Sequence, residues 1–436
     1  MGEHMKRRSF LAGAGAAAGA LAAGTLAAGP ATGETRRHSA PAEELPAPDD
    51  SGIDHIVVAM MENRSFDHYL GWLPGADGKQ SGLRYVDASG AEHGTHHLDT
   101  FTGCAFADPD HSYEGGRVEL NNGACDGWLR AGGNDIFSIG YYEAADLGFH
   151  GRAARDWTVC DRYFSAVMAE TYPNRIFQHA AQTDRVHNSF DLVKAPTIWD
   201  RLAERDISRR YYFSDVPFTA LWGTKYLGIT RHHSSFKADA AAGRLPAVSF
   251  VDPRFLGAGM GLSGDEHPHS DIRVGQAFLN DVYEAVTSSP NWERTVLVIN
   301  YDEWGGFFDH VVPPEGPDPR PDLGTGLRGF RVPCLVVSPR ARSRVAHDVY
   351  DHASVLKMIE WRFGLEPLTV RDAAARNLAE VLDFSAPPVT TPPPRYDVPS
   401  VVSPGCLGAA REDHAHQGDG WTELREHARE QGFDVD

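Results

Sequence analysis

Short apolar runs rich in β-branched and aromatic residues recur along this 436-residue chain, separated by longer stretches that include helical patterns. The runs are "DHIVVAM", "SRRYYF", "PAVSFVD", "RTVLVINYD" and "VPCLVVS", and the clearest helical patterns are "SDIRVGQAFLNDVYEAVTSSP" and "YDHASVLKMIEWRFG". Strands that alternate with helices pair in parallel, because each helix returns the chain to the start of the next strand. The sequence therefore predicts an α/β fold with a doubly wound, mostly parallel central sheet and helices on both faces.

Polar residues follow these apolar runs at three places. Glu62 and Asn63 come after the first run, Asp302 and Glu303 come after "VLVINY", and "AVSFVD" leads through a Gly-rich loop to "GDEHPHSD". Ligands of such sheets bind at the carboxyl ends of the strands. Adjacent buried carboxylates repel each other unless a cation or protons compensate them. The pattern predicts one divalent cation with oxygen ligands, with Ca²⁺ favoured and Mg²⁺ or Mn²⁺ also compatible.

The segment "AETYPNRIFQHAA", residues 169 to 181, supplies a candidate nucleophile. Pro173 suits the first position of a helix, which places Thr171 just outside the helix N-terminus, where backbone N–H groups favour an anion. Thr171 is then either an ordinary cap residue or a catalytic hydroxyl. Glu62 and Asn63 have a similar alternative, in which they cap the following helix and Arg64 pairs with the acid.

The N-terminus predicts export. Paired Arg7 and Arg8 precede an Ala/Gly/Leu run that carries no charge up to Gly33, which indicates a twin-arginine signal peptide over residues 1–33 and a secreted protein. A transmembrane anchor is the alternative, but the run is Gly-rich and only weakly hydrophobic. The net charge of −19 argues against nucleic acid or an anionic bilayer as an electrostatically recruited partner.

Composition predicts the remaining boundaries: a flexible linker over 34–50, a catalytic domain over 51–385, and a Pro-rich linker with a short C-terminal segment over 386–436. Five cysteines are too few for a disulfide scaffold of this size. Cys160 and Cys334 lie in apolar runs and are expected to be buried thiols. Cys104 and Cys125 flank one polar segment and are the best candidate pair, which leaves Cys406 over.

Five ordered motifs carry a family resemblance: "ENRSFDHYLGWL", "TYPNRIF", "DEHPHSD", "YDEWGGFFDHVVPP" and "YDHASVLKMIEWRFG". They closely resemble the phosphoesterase family of bacterial phospholipases C, related secreted acid phosphatases and plant non-specific phospholipases C. The resemblance runs from about Ile53 to Phe384. It implies the fold of the alkaline phosphatase superfamily and a hydroxyl nucleophile assisted by a metal.

The resemblance also implies roles for individual residues. The implied metal ligands are Glu62, Asn63, Asp302, Glu303 and the nucleophile itself, Thr171. His267 matches a phosphate-contacting position, and the weaker catalytic matches are His111, His232, His233 and His352. His267 or His352 is expected to protonate the leaving group as general acid. A second tier of candidates is Asn174, Arg175, Glu266 and His310.

These implications predict a secreted, metal-dependent phospholipase C that converts phosphatidylcholine or phosphatidylethanolamine to diacylglycerol and a phosphorylated head group through a phosphothreonine intermediate. One alternative is a secreted acid phosphatase with the same metal and nucleophile, and another is a non-catalytic secreted metal-binding protein. A sulfatase is disfavoured, because no formylglycine motif surrounds Thr171.

The expected partner is a phospholipid substrate met in transient contact at a membrane surface, with no nucleic acid and no obligate protein partner. Two loops are candidates for insertion at the membrane interface: "FLGAGMGLSG", which begins with Phe255, and "FTALWGTKYLG", which contains Trp222. The alternative is that both loops are ordinary core or hinge segments.

Overall fold

The computed structural model of the chain describes residues 45–406 and 420–435. The predicted signal peptide, residues 1–33, and most of the predicted linker after it lie outside the described residues. Within the described ranges no helix has the length and apolar character needed to span a membrane.

The described residues contain β-strands, α-helices and 3-10 helices. The strands are β1 (His55–Met61), β2 (Arg84–Val86), β3 (Glu92–Gly94), β4 (His96–His97), β5 (Gly140–Tyr141), β6 (Thr158–Cys160), β7 (Tyr163–Phe164), β8 (Arg209–Phe213), β9 (Thr230–His232), β10 (Val248–Val251), β11 (Thr295–Tyr301), β12 (Cys334–Val337), β13 (Arg344–Ala346) and β14 (Tyr350–Asp351). The α-helices are α1 (Phe66–Leu70), α2 (Tyr113–Leu120), α3 (His150–Asp156), α4 (Thr171–Ala180), α5 (Ile198–Glu204), α6 (His233–Ala241), α7 (Ile272–Thr287), α8 (His352–Phe363), α9 (Val370–Ala374) and α10 (Trp421–Glu430).

Eight strands form the central sheet, in the order β13, β6, β12, β11, β1, β10, β8, β9. Strand β1 pairs in parallel with both β10 and β11, whereas β12 is antiparallel to its neighbours β11 and β6. The predicted mostly parallel sheet is therefore confirmed. Each of the five predicted apolar runs contains one of its strands to within one residue, namely β1, β8, β10, β11 and β12.

The two central strands are covered on both faces. Every residue of β11 is buried, and so is every residue of β1 after His55. A strand without an exposed face needs a layer of helices on each side, and α7 packs against both β1 and β11. Because β10, β1 and β11 are adjacent and parallel, the residues that follow them, Asp252, Glu62 and Asp302, emerge at one edge of the sheet.

The C-terminal helix α10 belongs to the same core as the sheet. The Trp421 indole is 1% exposed and stacks on the Phe255 ring at 4.0 Å between ring centroids. Phe255 and Trp222 are 0% and 6% exposed, so neither side chain is available to a membrane and the insertion hypothesis is wrong for both. Large aromatic rings at these positions fill the core, because burying each removes much apolar area from water.

The disulfide joins Cys104 to Cys406, with 5.2 Å between their Cα atoms, and not to Cys125 as predicted. Cys125, Cys160 and Cys334 are buried free thiols. The chain beyond the Pro-rich segment returns to the loop before the "DEHPHSD" motif, where the Cys406 N–H donates to the Met260 carbonyl at 2.8 Å. Because the two cysteines are 302 residues apart, only this tertiary return brings them together.

Replacement of Cys406 by Ser should lower the free energy of unfolding by about 2–5 kcal/mol, because the cross-link constrains the unfolded chain. The matched control is Cys125→Ser, which removes a free thiol and should cost less than half as much. Urea denaturation measures both values. Thiol titration of the unfolded, unreduced proteins should find three free thiols in the parent, four in Cys406→Ser and two in Cys125→Ser. Equal thiol counts in the two variants would contradict the observed pairing.

Candidate active site

A cavity of about 400 Å³ opens at the carboxyl edge of the sheet. It brings together four of the predicted site residues: Glu62, His111, Thr171 and His267. The other polar residues that line it are Asp108, Asp110, Ser112, Glu170 and Asn188. The concave site with convergent polar groups at the strand ends is the expected place for a ligand in this fold.

The residues after β1 and β11 present buried oxygen atoms that have no hydrogen-bond partner. These atoms are both carboxylate oxygens of Glu62, Oδ1 of Asn63 and Oε1 of Glu303. Asp302 fixes the arrangement, because its Oδ1 accepts hydrogen bonds from the Asn63 N–H at 3.1 Å and the Glu303 N–H at 2.7 Å. Unsatisfied buried oxygens are costly, and a hard divalent cation uses such donors as ligands. The predicted ligand set therefore fits a divalent cation.

The carboxyl groups of this set resist ionisation when they lack a cation. Burial raises the pKa of Glu303 to about 8, with His111 opposing the rise and Asp302 adding to it. Burial likewise raises the pKa of Asp302 to about 6 against the effect of Arg175. The pKa of Glu62 is raised well above its ordinary value by burial and then by the nearby charges of Asp265 and Asp302. A bound cation would relieve this repulsion.

Arg175 on α4 is the protein's own counter-charge for these acids. Its Nε lies 3.1 Å from Asp302 Oδ2 and 3.7 Å from Glu62 Oε1, and its Nη1 lies 3.4 Å from Asp252 Oδ1. The guanidinium carbon also lies 4.6 Å from the centroid of the Phe255 ring. Burial lowers the pKa of Arg175, but the surrounding carboxylates outweigh it and raise the pKa. Asp252 was not predicted, although its position directly after an apolar strand run was a usable signal.

Thr171 is the first residue of α4 and Glu170 is its N-cap, so the helix begins two residues earlier than the position of Pro173 predicted. Asn174 fixes the loop before the nucleophile candidate. Its Nδ2 donates to the carbonyls of Val167 at 3.0 Å and Ala169 at 2.8 Å. The Thr171 side chain therefore meets the cavity at a helix N-terminus, where backbone dipoles favour a bound anion.

His111 and His267 are the two histidines of the cavity. His111 Nδ1–H donates to the Pro109 carbonyl at 2.8 Å, so its Nε2 can accept from Asn63 Nδ2 at 3.2 Å. That bond leaves Asn63 Oδ1 available to a cation. His267 Nε2 lies 3.4 Å from Asp108 Oδ2, and burial lowers the pKa of His267 to about 3.

His352 does not line the cavity. Its Nε2–H donates to the backbone carbonyl of Asp302 at 2.7 Å, and its Nδ1 lies 3.1 Å from the Tyr163 hydroxyl. With both ring nitrogens engaged inside the protein, His352 positions the strand end that carries Asp302. This geometry does not support the predicted alternative that His352 is the general acid.

His232 and His233 lie at the start of α6 and are not brought to the cavity. His232 accepts a hydrogen bond from the Ser234 N–H and its Nε2 donates to the Ser214 carbonyl at 3.0 Å, which makes it a helix cap. His233 Nε2 lies 3.3 Å from an Asp281 carboxylate oxygen on α7. Both side chains thus join α6 to neighbouring segments.

Two of the second-tier candidates, Glu266 and His310, also point away from the cavity. Glu266 accepts hydrogen bonds from the Tyr301 hydroxyl at 2.5 Å and from Gln276 Nε2 at 2.8 Å, so its carboxylate faces the core. His310 bridges Asp67 and Asp77. Neither side chain lines the cavity.

Arg64 and Gly305 shape the backbone around the ligand set. Ser65 caps α1, and Arg64 donates to the carbonyls of Glu266 at 2.7 Å and His267 at 3.2 Å. The alternative in which Glu62 and Asn63 cap the helix and Arg64 pairs with the acid is therefore wrong. Gly305 has φ of +66°, and a Cβ there would lie 2.1 Å from the Asn63 carbonyl oxygen. Only glycine permits this close approach.

Replacement of Arg175 by Met should lower the free energy of unfolding by about 3–5 kcal/mol, because it leaves buried carboxylates without their counter-charge. The matched control is Arg244→Met, because the Arg244 side chain is 66% exposed. This replacement should change the free energy of unfolding by less than about 0.5 kcal/mol. Urea denaturation in the presence of a chelator measures both. A loss no larger than that of the control would show that Arg175 does not balance these charges.

Comparison with known proteins identifies the family of this chain. The model of the Phosphoesterase family matches residues 53–366. Phospholipase C B of Mycobacterium tuberculosis is 35% identical over 423 residues, covering 78% of this chain and 80% of the relative. Non-specific phospholipase C6 of Arabidopsis thaliana is 32% identical over 416 residues, covering 84% of this chain and 78% of the relative.

Among solved structures, a Vibrio parahaemolyticus protein of the alkaline phosphatase superfamily aligns over 75% of this chain and 70% of its own, with a TM-score of 0.39 and 9% identity. The family assignment does not depend on this distant likeness, because the family model covers most of the chain, including the strand ends and Thr171. The predicted class of phosphoric diester hydrolase is confirmed by the family and the relatives together. The chain belongs to the phosphoesterase family.

Proposed function

We propose that this protein is a secreted phospholipase C that cleaves glycerophospholipids to diacylglycerol and a phosphorylated head group through a phosphothreonine intermediate. The observation that carries the proposal is the meeting of Thr171, at the start of α4, with the unsatisfied oxygens of Glu62 in one cavity. The phospholipase C relatives support the diester as substrate. Export by the twin-arginine route follows from Arg7 and Arg8 and belongs to this proposal.

Thr171 is the proposed nucleophile. Its Oγ1 attacks the phosphorus, the bond to the glycerol oxygen breaks, and the head-group phosphate remains on the threonine until water releases it. The N-terminal N–H groups of α4 favour the anionic phosphate beside the hydroxyl. Asn174 and Glu170 hold the first turn in place, since Glu170 Oε2 accepts from the Asn188 N–H and Asn174 ties down the preceding loop.

The residues proposed to hold the cation are Glu62, Asn63, Asp302, Glu303 and Thr171, with Ca²⁺ the favoured ion. When bound, the cation lowers the pKa of the threonine hydroxyl and neutralises charge on the phosphoryl oxygens. Arg175 keeps Asp302 and Glu62 in place at the strand ends and partly offsets their charge.

The two cavity histidines complete the proposed mechanism. His267 protonates the departing glycerol oxygen, which prevents release of a strongly basic alkoxide. The negative charge of a bound phosphate offsets the burial that lowers the pKa of His267 in the free protein. His111, held by the Pro109 carbonyl, orients the Asn63 amide so that its Oδ1 faces the cation site.

Transient membrane contact is proposed for the loop that precedes the "DEHPHSD" motif. Met260 is 61% exposed, Leu262 is 37% exposed, and Val402 on the adjoining tail is 94% exposed. The tail is tied to the loop, since Ser403 Oγ donates to the Gly261 carbonyl at 2.7 Å. These apolar side chains take the place of Phe255 and Trp222 as candidates for insertion beside the cavity.

Replacement of Thr171 by Ala should reduce phosphatidylcholine hydrolysis by at least about 10³-fold, because the attacking oxygen is lost. The matched control is Thr287→Ala on α7, whose hydroxyl bonds the Tyr283 carbonyl and which should keep full activity. Quantification of diacylglycerol released from phosphatidylcholine vesicles measures both. Chelation should abolish activity in the parent and in the control.

The alternatives give different results in the same assay. Faster chelator-sensitive hydrolysis of p-nitrophenyl phosphate than of p-nitrophenylphosphorylcholine would make the protein a phosphomonoesterase. Near-normal diacylglycerol release by Thr171→Ala would exclude the threonine mechanism. Absence of both activities with every divalent cation tested would favour a metal-binding protein.

The double replacement Met260→Ser with Leu262→Ser should slow vesicle hydrolysis roughly thirty-fold, since the two partly exposed apolar side chains each contribute about 1 kcal/mol when buried in lipid. Turnover of soluble p-nitrophenylphosphorylcholine should not change. The control is Val370→Ser on α9, where the parent side chain is 55% exposed. Equal losses on vesicles and on the soluble substrate would mean that the loop serves catalysis and not docking.

A further inference from the structure

A second cluster of metal-ligating side chains lies beside the proposed cation site. Asp108, His267 and His269 each offer one ligand atom, and these atoms lie within 4.8 Å of one another. His267 and His269 are 6% and 1% exposed. Asp108 and His267 line the catalytic cavity, whereas His269 does not. The cluster shares no residue with the oxygen-rich set of Glu62, Asn63, Asp302 and Glu303.

The spacing of the cluster suits a small tetrahedral ion. His267 Nε2 and Asp108 Oδ2 are 3.4 Å apart. Bonds of about 2.1 Å in a tetrahedral zinc site place neighbouring ligand atoms roughly 3.4 Å apart. The imidazole centroids of His267 and His269 are 6.0 Å apart, and one ring nitrogen of His269 lies within 4.8 Å of the ligand atoms of His267 and Asp108.

The backbone around the cluster is fixed independently of any ion. Cys104 lies four residues before Asp108, and the sulfur atoms of the Cys104–Cys406 disulfide lie 3.9 Å and 4.0 Å from the His269 carbonyl oxygen. Arg64 Nη2 donates to the His267 carbonyl at 3.2 Å. The loop that carries Asp108 and the loop that carries both histidines are therefore held against each other, which lowers the ordering cost of binding an ion.

A second carboxylate–histidine cluster differs, because an arginine already balances its charge. Asp67, Asp309 and His310 also bring their ligand atoms close together. Arg331 occupies that group, with Nη2 3.0 Å from Asp67 Oδ1 and Nε 2.9 Å from Asp309 Oδ1. Its positive charge already balances the acids, so that group has no need of a metal ion.

We propose that Asp108, His267 and His269 form a second divalent-cation site that takes Zn²⁺ and inhibits the enzyme when occupied. Two imidazoles and one carboxylate match the preference of Zn²⁺, whereas Ca²⁺ needs six or more oxygen ligands. Binding uses the lone pair of neutral His267, so that this nitrogen can no longer donate a proton to the leaving glycerol oxygen. The inhibition rests on the proposed function of His267, while the existence of the site does not.

The test uses His269→Gln in the full-length protein loaded with Ca²⁺. His269 has no part in the proposed reaction, so the variant should keep the basal rate while losing one zinc ligand. The matched control is His97→Gln, because His97 is a surface histidine paired with Asp146 at 2.8 Å. Asp108→Asn is the second variant, used for the binding measurements alone.

Two binding measurements are made on all four proteins: calorimetric titration with Zn²⁺ and the visible absorption of added Co²⁺. The rate on soluble p-nitrophenylphosphorylcholine is measured on the parent, His97→Gln and His269→Gln. The parent and His97→Gln should bind one additional Zn²⁺ per chain, show the intense band of tetrahedral Co²⁺, and lose activity as Zn²⁺ binds. In His269→Gln the affinity for Zn²⁺ should fall at least about ten-fold, the Co²⁺ band should disappear, and inhibition should need correspondingly more Zn²⁺.

Every other outcome contradicts either the zinc site itself or its inhibitory effect. Unchanged Zn²⁺ affinity in both His269→Gln and Asp108→Asn, or equal inhibition of parent and His269→Gln, would place the bound ion elsewhere and overturn the site. Zn²⁺ that binds through His269 yet leaves the rate unchanged or raises it would overturn the inhibition. If no protein hydrolyses the substrate with any cation, the proposed function fails, and the titration and the Co²⁺ spectrum still decide whether the site exists.

Discussion

The structure depends on one electrostatic constraint, the convergence of buried carboxylates at the ends of three adjacent parallel strands. Glu62, Asp252 and Asp302 emerge side by side because β1 lies between β10 and β11. Their mutual repulsion in a buried setting would disfavour the fold if nothing offset it. Arg175 supplies one positive charge from α4, and the unsatisfied oxygens of Glu62 and Asn63 provide the place for another.

Segments distant in sequence complete this arrangement. Trp421 of the C-terminal helix stacks on Phe255, and Phe255 lies under the Arg175 guanidinium. The Cys104–Cys406 disulfide ties the tail to the loop that leads to Asp108 and His111. The last part of the chain thus packs against the ring that lies next to Arg175 and is cross-linked to the loop that enters the cavity.

The strand-end acids and the motif residues of the site could be predicted, because such residues follow apolar strand runs or lie in long motifs. Glu62, Thr171 and His267 all reach the cavity. The sequence could not show that three other histidine candidates lie away from the cavity, namely His232, His233 and His352. A histidine in a helix cap and a histidine in a cavity have similar neighbours in sequence. Asp108 was not predicted, and His269 was noted only as part of the "DEHPHSD" motif, because their neighbours in the chain give no sign that the two loops meet.

The sequence alone determined the strand runs, the helices, the family and the strand-end acids, since hydrophobic periodicity and local motifs carry that information. The tertiary structure decided which charges meet, which cysteines pair and which aromatic residues are buried. Cys406 and Trp421 are the clearest cases, because their partners Cys104 and Phe255 lie hundreds of residues away or in another segment altogether. Contacts of that kind arise only when the sheet, its covering helices and the returning tail pack together, so no local pattern can specify them.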